Sequence, residues 1–230
     1  RYMNEHKDDK RFLYITPFLD EVDRICQRCD FDQPDSDYVS KSKELKYHLE
    51  RGHNVSTTHS LFYLMDDEAL QLVRDMHYSL IVDESLQVVE KVFVTGKDLK
   101  LITENLATVD DDGFVHWIDP GYTGKFSGYK EIADAGCLCC VDTVFLNVLN
   151  PEHLRAFEEI FMLTYMFSGQ YQKAYLDFFG FDYDIVGIEQ DANGPRFSDK
   201  PDAQAPVEYK TLINIAKKQL PYNIGDDYAS

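Results

Sequence analysis

A mostly parallel α/β sheet is the fold class this sequence predicts, and three observations predict it. Short apolar runs alternate with amphipathic helical segments three times before residue 85, the order of a parallel sheet joined by right-handed crossovers. The apolar fraction, 44% of 230 residues, suffices for a real core in one large domain, or in one domain and part of a second. One run, Ser79-Leu80-Ile81-Val82, stops abruptly on Asp83-Glu84-Ser85, as a buried strand does when its carboxyl end opens on a site.

Taken in order, Arg1 to His6 reads as the end of a helix begun upstream. Arg11-Phe12-Leu13-Tyr14-Ile15 is a buried strand followed by Thr16-Pro17. Leu19, Val22, Ile25, Cys26 and Cys29 then recur at helical spacing and complete one βα unit. Asp30 to Ser42 is an acidic loop with Pro34. Lys43 to Arg51 is a short helix stopped by Gly52, and Asn54 to Thr58 is the next strand, ending at His59-Ser60. The helix from Asp67 to Met76 carries Leu70, Leu72, Val73 and Met76 and leads into the strand that ends at Asp83.

The alternation pauses between about 94 and 150. Leu99 to Leu106 reads as a helix, Asp111-Asp112-Gly113 as a turn before Phe114-Val115-His116-Trp117-Ile118, and Asp142 to Val148 as a further strand, together a β-rich insertion on the core. Asn150 then caps a helix with Pro151 at its first position. A second buried strand, Ile160 to Thr164, follows. Tyr171 to Phe179 is helical, Tyr183 to Ile188 is one more strand, and beyond Glu189 a loop with three prolines precedes a helix near 208–218. A boundary near Gly180 separates a domain of residues 1–180 from 181–230, expected to start a second α/β lobe or to form a C-terminal extension.

Charge bounds the function. With 23 Lys+Arg against 41 Asp+Glu, the net of −18 opposes polyanion binding by general electrostatics, so contact with nucleic acid requires a local site. No run approaches the 18 or so apolar residues of a membrane span and no charged-then-apolar leader opens the chain. The sequence therefore reads as soluble and intracellular. Its five cysteines, Cys26, Cys29, Cys137, Cys139 and Cys140, are odd in number and tightly clustered, unlike a secreted disulfide framework. Small buried thiols are the favoured reading, with zinc shared between Cys26-x-x-Cys29 and the second cluster as the alternative.

An acid pair at the carboxyl end of a strand has the layout of a Walker B element. Asp83 would hold Mg²⁺ through its water shell, and Glu84 would orient or deprotonate the water that attacks a γ-phosphate. The plain alternative is a strand end solubilised by two acids.

Four stretches resemble, in order, the first motor domain of superfamily 2 helicases and translocases, in particular the compact DEAD-like proteins of phages and mobile elements. They are Tyr14-Ile15-Thr16-Pro17-Phe18-Leu19-Asp20-Glu21-Val22, Ser56-Thr57-Thr58-His59-Ser60-Leu61-Phe62, Leu80-Ile81-Val82-Asp83-Glu84, and Phe161-Met162-Leu163-Thr164-Tyr165-Met166-Phe167. The resemblance implies a sheet of the P-loop NTPase motor type. It implies Thr16, Pro17, Thr57, Thr58 and His59 on the nucleic-acid backbone, Asp83 and Glu84 as Walker B, and Thr164 linking hydrolysis to movement of the strand. Tyr165 and Met166 stand where that family usually has small and hydroxylated residues. Hydroxyls at strand ends can reach phosphates without net positive charge. Their everyday use is to cap the next helix.

No Gly-x-x-x-x-Gly-Lys-Ser/Thr loop is present, since Gly96-Lys97-Asp98 and Gly124-Lys125-Phe126 lack both the spacing and the hydroxyl. The expectation is a fragment, inactive alone, of a helicase or translocase that hydrolyses ATP with Mg²⁺ and moves on nucleic acid, DNA ahead of RNA, with its phosphate loop upstream of Arg1. A terminase-like packaging ATPase is the second reading. A non-catalytic module that binds a protein partner through its acidic surface is the third.

Overall fold

The computed structural model describes residues 1–35, 39–191 and 194–198. Contacts divide the chain into two units, Arg1–Phe181 and Asp182–Ser230. The first unit opens with α1 (Tyr2–His6), β1 (Arg11–Thr16), α2 (Leu19–Cys29), α3 (Lys41–Glu50), β2 (Val55–Thr58), α4 (His59–Tyr63), α5 (Asp67–Asp75) and β3 (Tyr78–Asp83). It continues through β4 (Val89–Val92), α6 (Gly96–Asn105), β5 (Ala107–Val109), β6 (Val115–Trp117), α7 (Ser127–Asp134), β7 (Leu138–Val141), β8 (Val144–Val148) and α8 (Glu152–Arg155). It closes with β9 (Glu159–Leu163), a 3-10 turn (Phe167–Gly169) and α9 (Tyr171–Phe178).

Four of these strands form one sheet in the order β2-β1-β3-β9, every neighbour pair parallel. Both faces are covered, so the strands read as unbroken apolar runs. On one face Leu13, Ile15, Leu80 and Val82 pack with Leu45 and Leu49 of α3 and Leu70 and Val73 of α5. On the other, Phe12, Tyr14 and Ile81 pack with Ile25 and Cys29 of α2 and, at the margin, Tyr2 and Met3 of α1. The period-2 alternation of a strand thus feeds two cores. β9 pairs with β3 on one side only among the described residues, and Ile160, Phe161 and Met162 are half-buried where their β3 partners Leu80, Ile81 and Val82 are buried.

The helices start where polar caps demand it. Asp66 accepts from the Ala69 N–H at 3.0 Å, Thr95 from Asp98 at 3.2 Å, and Thr58 from Leu61 at 3.3 Å, each satisfying an orphan amide of a first turn.

The insertion begins earlier than the sequence suggests. Val89–Val92 already pairs antiparallel with Val144–Val148, which also pairs with Leu138–Val141, giving a three-stranded sheet β4-β8-β7 beside a β5-β6 hairpin. Ile102, Val115, Phe126, Leu138 and Phe145 make its separate core. Asn150 Oδ1 accepts from the Glu152 N–H at 3.0 Å, but the helix that follows is a single turn whose cap position is Pro151, one residue later than expected.

In the second unit, the strand expected over Tyr183 to Ile188 begins only at Gly187. β10 (Gly187–Asp191) pairs antiparallel with β11 (Gly194–Ser198) in a hairpin, where the sequence reading places a loop. Ile185, Val186 and Ile188 are exposed, so this apolar run lacks the burial that would extend it. The helix expected near 208–218 lies outside the described residues.

Candidate functional site

Parallel pairing places the carboxyl ends of four strands on one edge. The register aligns Thr16 with Thr58, Ile15 with Val82, and Asp83 with Leu163. The carboxyl edge therefore gathers Thr16, Pro17, Thr57, Thr58, His59, Asp83, Glu84 and Thr164, residues scattered over 149 positions of sequence. Such an edge is where open α/β sheets bind ligands.

Asp83 is half-buried at this edge. Its Oδ2 accepts the Tyr14 phenol at 2.7 Å, and the same hydroxyl lies 3.3 Å from Glu21 Oε1. Glu21 is held by Arg24, whose Nε stands 2.6 Å from Oε2 and whose second donor makes a shorter contact. Burial, reinforced by Asp83, raises the Tyr14 pKa well above its ordinary value, so the phenol remains a donor. The Arg24 hydrogen bond is the largest cause holding Glu21 below the usual carboxylate range. A chain Arg24–Glu21–Tyr14–Asp83 ties α2 to the end of β3.

Glu84 is exposed and has φ +67, a left-handed conformation that costs a non-glycine residue roughly 1 kcal/mol or more. Its N–H donates to the Leu163 carbonyl at 3.0 Å, which turns the acidic loop toward the end of β9. There Ser85 Oγ and Thr164 Oγ1 lie 3.1 Å apart, and Gln170 Nε2 donates to Thr164 Oγ1 and to the Tyr165 carbonyl, both at 2.7 Å. The Leu86 N–H donates to the buried Gln172 Oε1 at 2.8 Å. The loop after the acids is thereby fastened to the segment after β9.

The hydroxyls are placed differently from one another. Thr16 is fully buried and its Oγ1 has no hydrogen-bond partner among the described residues. Thr57 is also buried, and Thr58 caps α4. Pro17 is exposed. His59 is buried, with Nε2 3.0 Å from the Asp83 carbonyl, and burial lowers its pKa; the neutral ring donates from Nε2. His59 thus braces the backbone of the acid pair.

Among side chains that could serve Mg²⁺, Asp83 offers a half-exposed carboxylate with one oxygen braced by Tyr14. That donor set suits an ion held by one carboxylate, its own waters and a phosphate. The cysteines are all free thiols. Burial raises Cys26 to about 11 and pushes Cys137, Cys139 and Cys140 upward, which keeps them protonated. Tyr14, Glu21, Ser85 and Gln170 go beyond the sequence reading. Tyr14 and Glu21 lie inside the first resembling stretch, so that stretch was the signal available for them.

A family model described as the YonV middle domain matches residues 89–147. Those bounds run from the first residue of β4 to the penultimate residue of β8, so the match falls on the insertion. The chain is similar to a prophage protein. The relative is the "SPbeta prophage-derived uncharacterized protein YonV" of Bacillus subtilis (strain 168), 29% identical over an aligned length of 247 that takes in 99% of this chain. The alignment spans 60% of the relative's length. No solved structure matches the chain. No helix among the described residues is long and apolar enough to cross a membrane.

Proposed function

We propose that this chain is part of an ATP-dependent nucleic-acid motor of the helicase or translocase kind, encoded by a phage or prophage. The observation that carries the reading is the acid pair Asp83-Glu84 at the carboxyl end of an interior parallel strand, braced by Tyr14 of β1, His59 at the start of α4 and Leu163 at the end of β9. The similarity to a prophage-derived protein supports the phage setting.

In this reading Asp83 holds the Mg²⁺ that accompanies ATP, and the ion supplies charge neutralisation at the phosphates. Glu84, exposed and held in a strained turn, accepts a proton from, or orients, the attacking water. Thr164 answers to the state of the acidic loop through Ser85, and passes it to Gln170 and the segment before α9. Of the residues assigned to the nucleic-acid side, Pro17 is exposed and Thr58 half-buried, while Thr16, Thr57 and His59 are buried at the same edge. The unpartnered Thr16 hydroxyl would gain its hydrogen bond when that edge rearranges around a ligand. Exposed Tyr165 and Tyr171 offer stacking faces, a source of affinity that net negative charge does not oppose. The sequence of residues 1–230 carries no Gly-x-x-x-x-Gly-Lys-Ser/Thr motif, and the reading assigns the activity to a protein that also supplies that phosphate cradle.

The test is Mg²⁺-dependent ATP hydrolysis by the full-length protein with and without single- and double-stranded DNA and RNA. The reading predicts hydrolysis stimulated by nucleic acid, by DNA above RNA. Absence of hydrolysis with every nucleic acid would leave an acidic module that binds a protein partner on a motor-like sheet.

A further inference from the structure

At the opposite edge of the sheet, three side chains that no part of the motor reading uses converge on one point. Among the described residues, Asp32, His48 and His53 are the group of His, Cys, Asp and Glu whose ligand atoms come together. His48 Nδ1 and His53 Nδ1 are 3.3 Å apart, and Asp32 Oδ2 lies 2.6 Å from His53 Nδ1 and 3.4 Å from His48 Nδ1.

The local sequence builds this geometry. His48 sits in the last turn of α3. Gly52 then takes φ +67, a left-handed reversal natural to glycine, and the His53 N–H returns to the His48 carbonyl at 3.1 Å. The reversal lays the two rings side by side with centroids 5.5 Å apart. Asp32 arrives from the loop after α2 and is pinned to β2, donating its N–H to the Asn54 carbonyl at 2.9 Å and accepting from the Ser56 N–H at 2.8 Å. The buried Tyr78 hydroxyl donates to the His53 carbonyl at 2.6 Å. All three backbones are fixed before any ion arrives.

With a proton on His53 Nδ1 the cluster is hydrogen-bonded, that N–H facing Asp32 Oδ2 and the bare His48 Nδ1. A single dication can take the place of that proton, because each of the three atoms carries a lone pair and all lie within 3.4 Å of one another. Ligand atoms on a tetrahedral zinc ion stand about 3.3 Å apart, which follows from bonds of about 2.0–2.1 Å; two of the three separations already match. The short third one opens by rotation of Asp32, whose side chain is half exposed.

We propose that Asp32, His48 and His53 bind one divalent transition-metal ion, zinc foremost, with a fourth position open to solvent. Two imidazoles with one carboxylate favour such an ion over Mg²⁺ or Ca²⁺, which prefer all-oxygen sets. The spacing His48-x-x-x-x-His53 falls within the range of zinc-binding histidine pairs. The bound ion staples the end of α3 and the loop after α2 to the start of β2, and so stabilises the fold rather than serving the carboxyl edge.

Metal-free full-length protein titrated with Zn²⁺ and, separately, Co²⁺ tests this, beside His48→Ala/His53→Ala and the milder His53→Gln. The expected result is one ion per chain, a raised Tm on adding Zn²⁺, and a Co²⁺ spectrum of tetrahedral N/O ligation without a thiolate charge-transfer band. His53→Gln should weaken binding by more than about tenfold, since loss of even an outer partner of a ligand costs 10–100-fold. Three results overturn the proposal: no stoichiometric binding by the wild-type protein, unchanged affinity in the double variant, or a thiolate band placing the ion on the cysteines.

Discussion

Tyr14 on β1 donates its phenolic hydrogen to the Oδ2 of Asp83 on β3 at 2.7 Å, between residues 69 apart in sequence. The carboxylate of the acid pair is therefore positioned by the neighbouring strand, and through Glu21 by α2. Tyr14→Phe keeps the buried ring and removes only this bond. A hydrogen bond to a charged, part-exposed carboxylate is worth about 1 kcal/mol net, so Tm should fall by roughly 2–4 °C for a domain of this size. Hydrolysis by the full-length protein should fall more than stability does. Thermal melts beside steady-state kinetics check both.

Thr16→Val separates stability from function. The Thr16 hydroxyl is fully buried without a partner among the described residues, and an unsatisfied buried polar group costs on the order of 1–3 kcal/mol. The near-isosteric valine should hold or raise Tm while lowering nucleic-acid stimulation of hydrolysis. A clear loss of stability would mean that the hydroxyl already has a partner.

Thr164→Val cuts the link from Ser85 to Gln170. Residual ATP turnover with lost strand displacement is the expected outcome, read by comparing hydrolysis with an unwinding or translocation assay on the same preparation. Parallel loss of both would make Thr164 a packing residue.

One buried histidine and one half-buried histidine set a pH dependence. Burial lowers the pKa of His59 and of His153 from 6.5, and neither ring nitrogen of His153 has a hydrogen-bond partner among the described residues. A depressed histidine favours the native state above its unfolded pKa, and that stability is lost as pH falls below 6.5, by up to about 1.4 kcal/mol per pH unit per proton taken up. Tm should therefore decline between pH 6.5 and 5, before the carboxylates titrate. His153→Leu should flatten part of that decline, as melts across this range would register.

The sheet was legible because parallel strands covered on both faces are written as unbroken apolar runs; Phe12 to Ile15 and Leu80 to Val82 could hardly be anything else. The acid pair was legible for the same reason, as an abrupt end to such a run. The insertion was harder. Val89-Glu90-Lys91-Val92, Ala107-Thr108-Val109 and Leu138-Cys139-Cys140-Val141 are short and mixed, and antiparallel partners far along the chain, rather than their own pattern, make them strands. Tyr183 to Val186 misled in the opposite sense, carrying β-forming residues with no core to bury them. The partners of the site, Tyr14, Ser85 and Gln170, are defined by contacts across the fold and leave no spacing to read. His48 and His53 did leave one.

The central claim rests on Glu84, and one substitution tests it most directly. Glu84→Gln preserves shape and removes the charge that would orient the attacking water. Measured in the full-length protein at saturating Mg²⁺-ATP and DNA, it should lower kcat by about 100-fold or more, the scale for losing a positioned general base, while nucleotide affinity and Tm stay near wild type. Hydrolysis unchanged by Glu84→Gln would contradict the motor assignment.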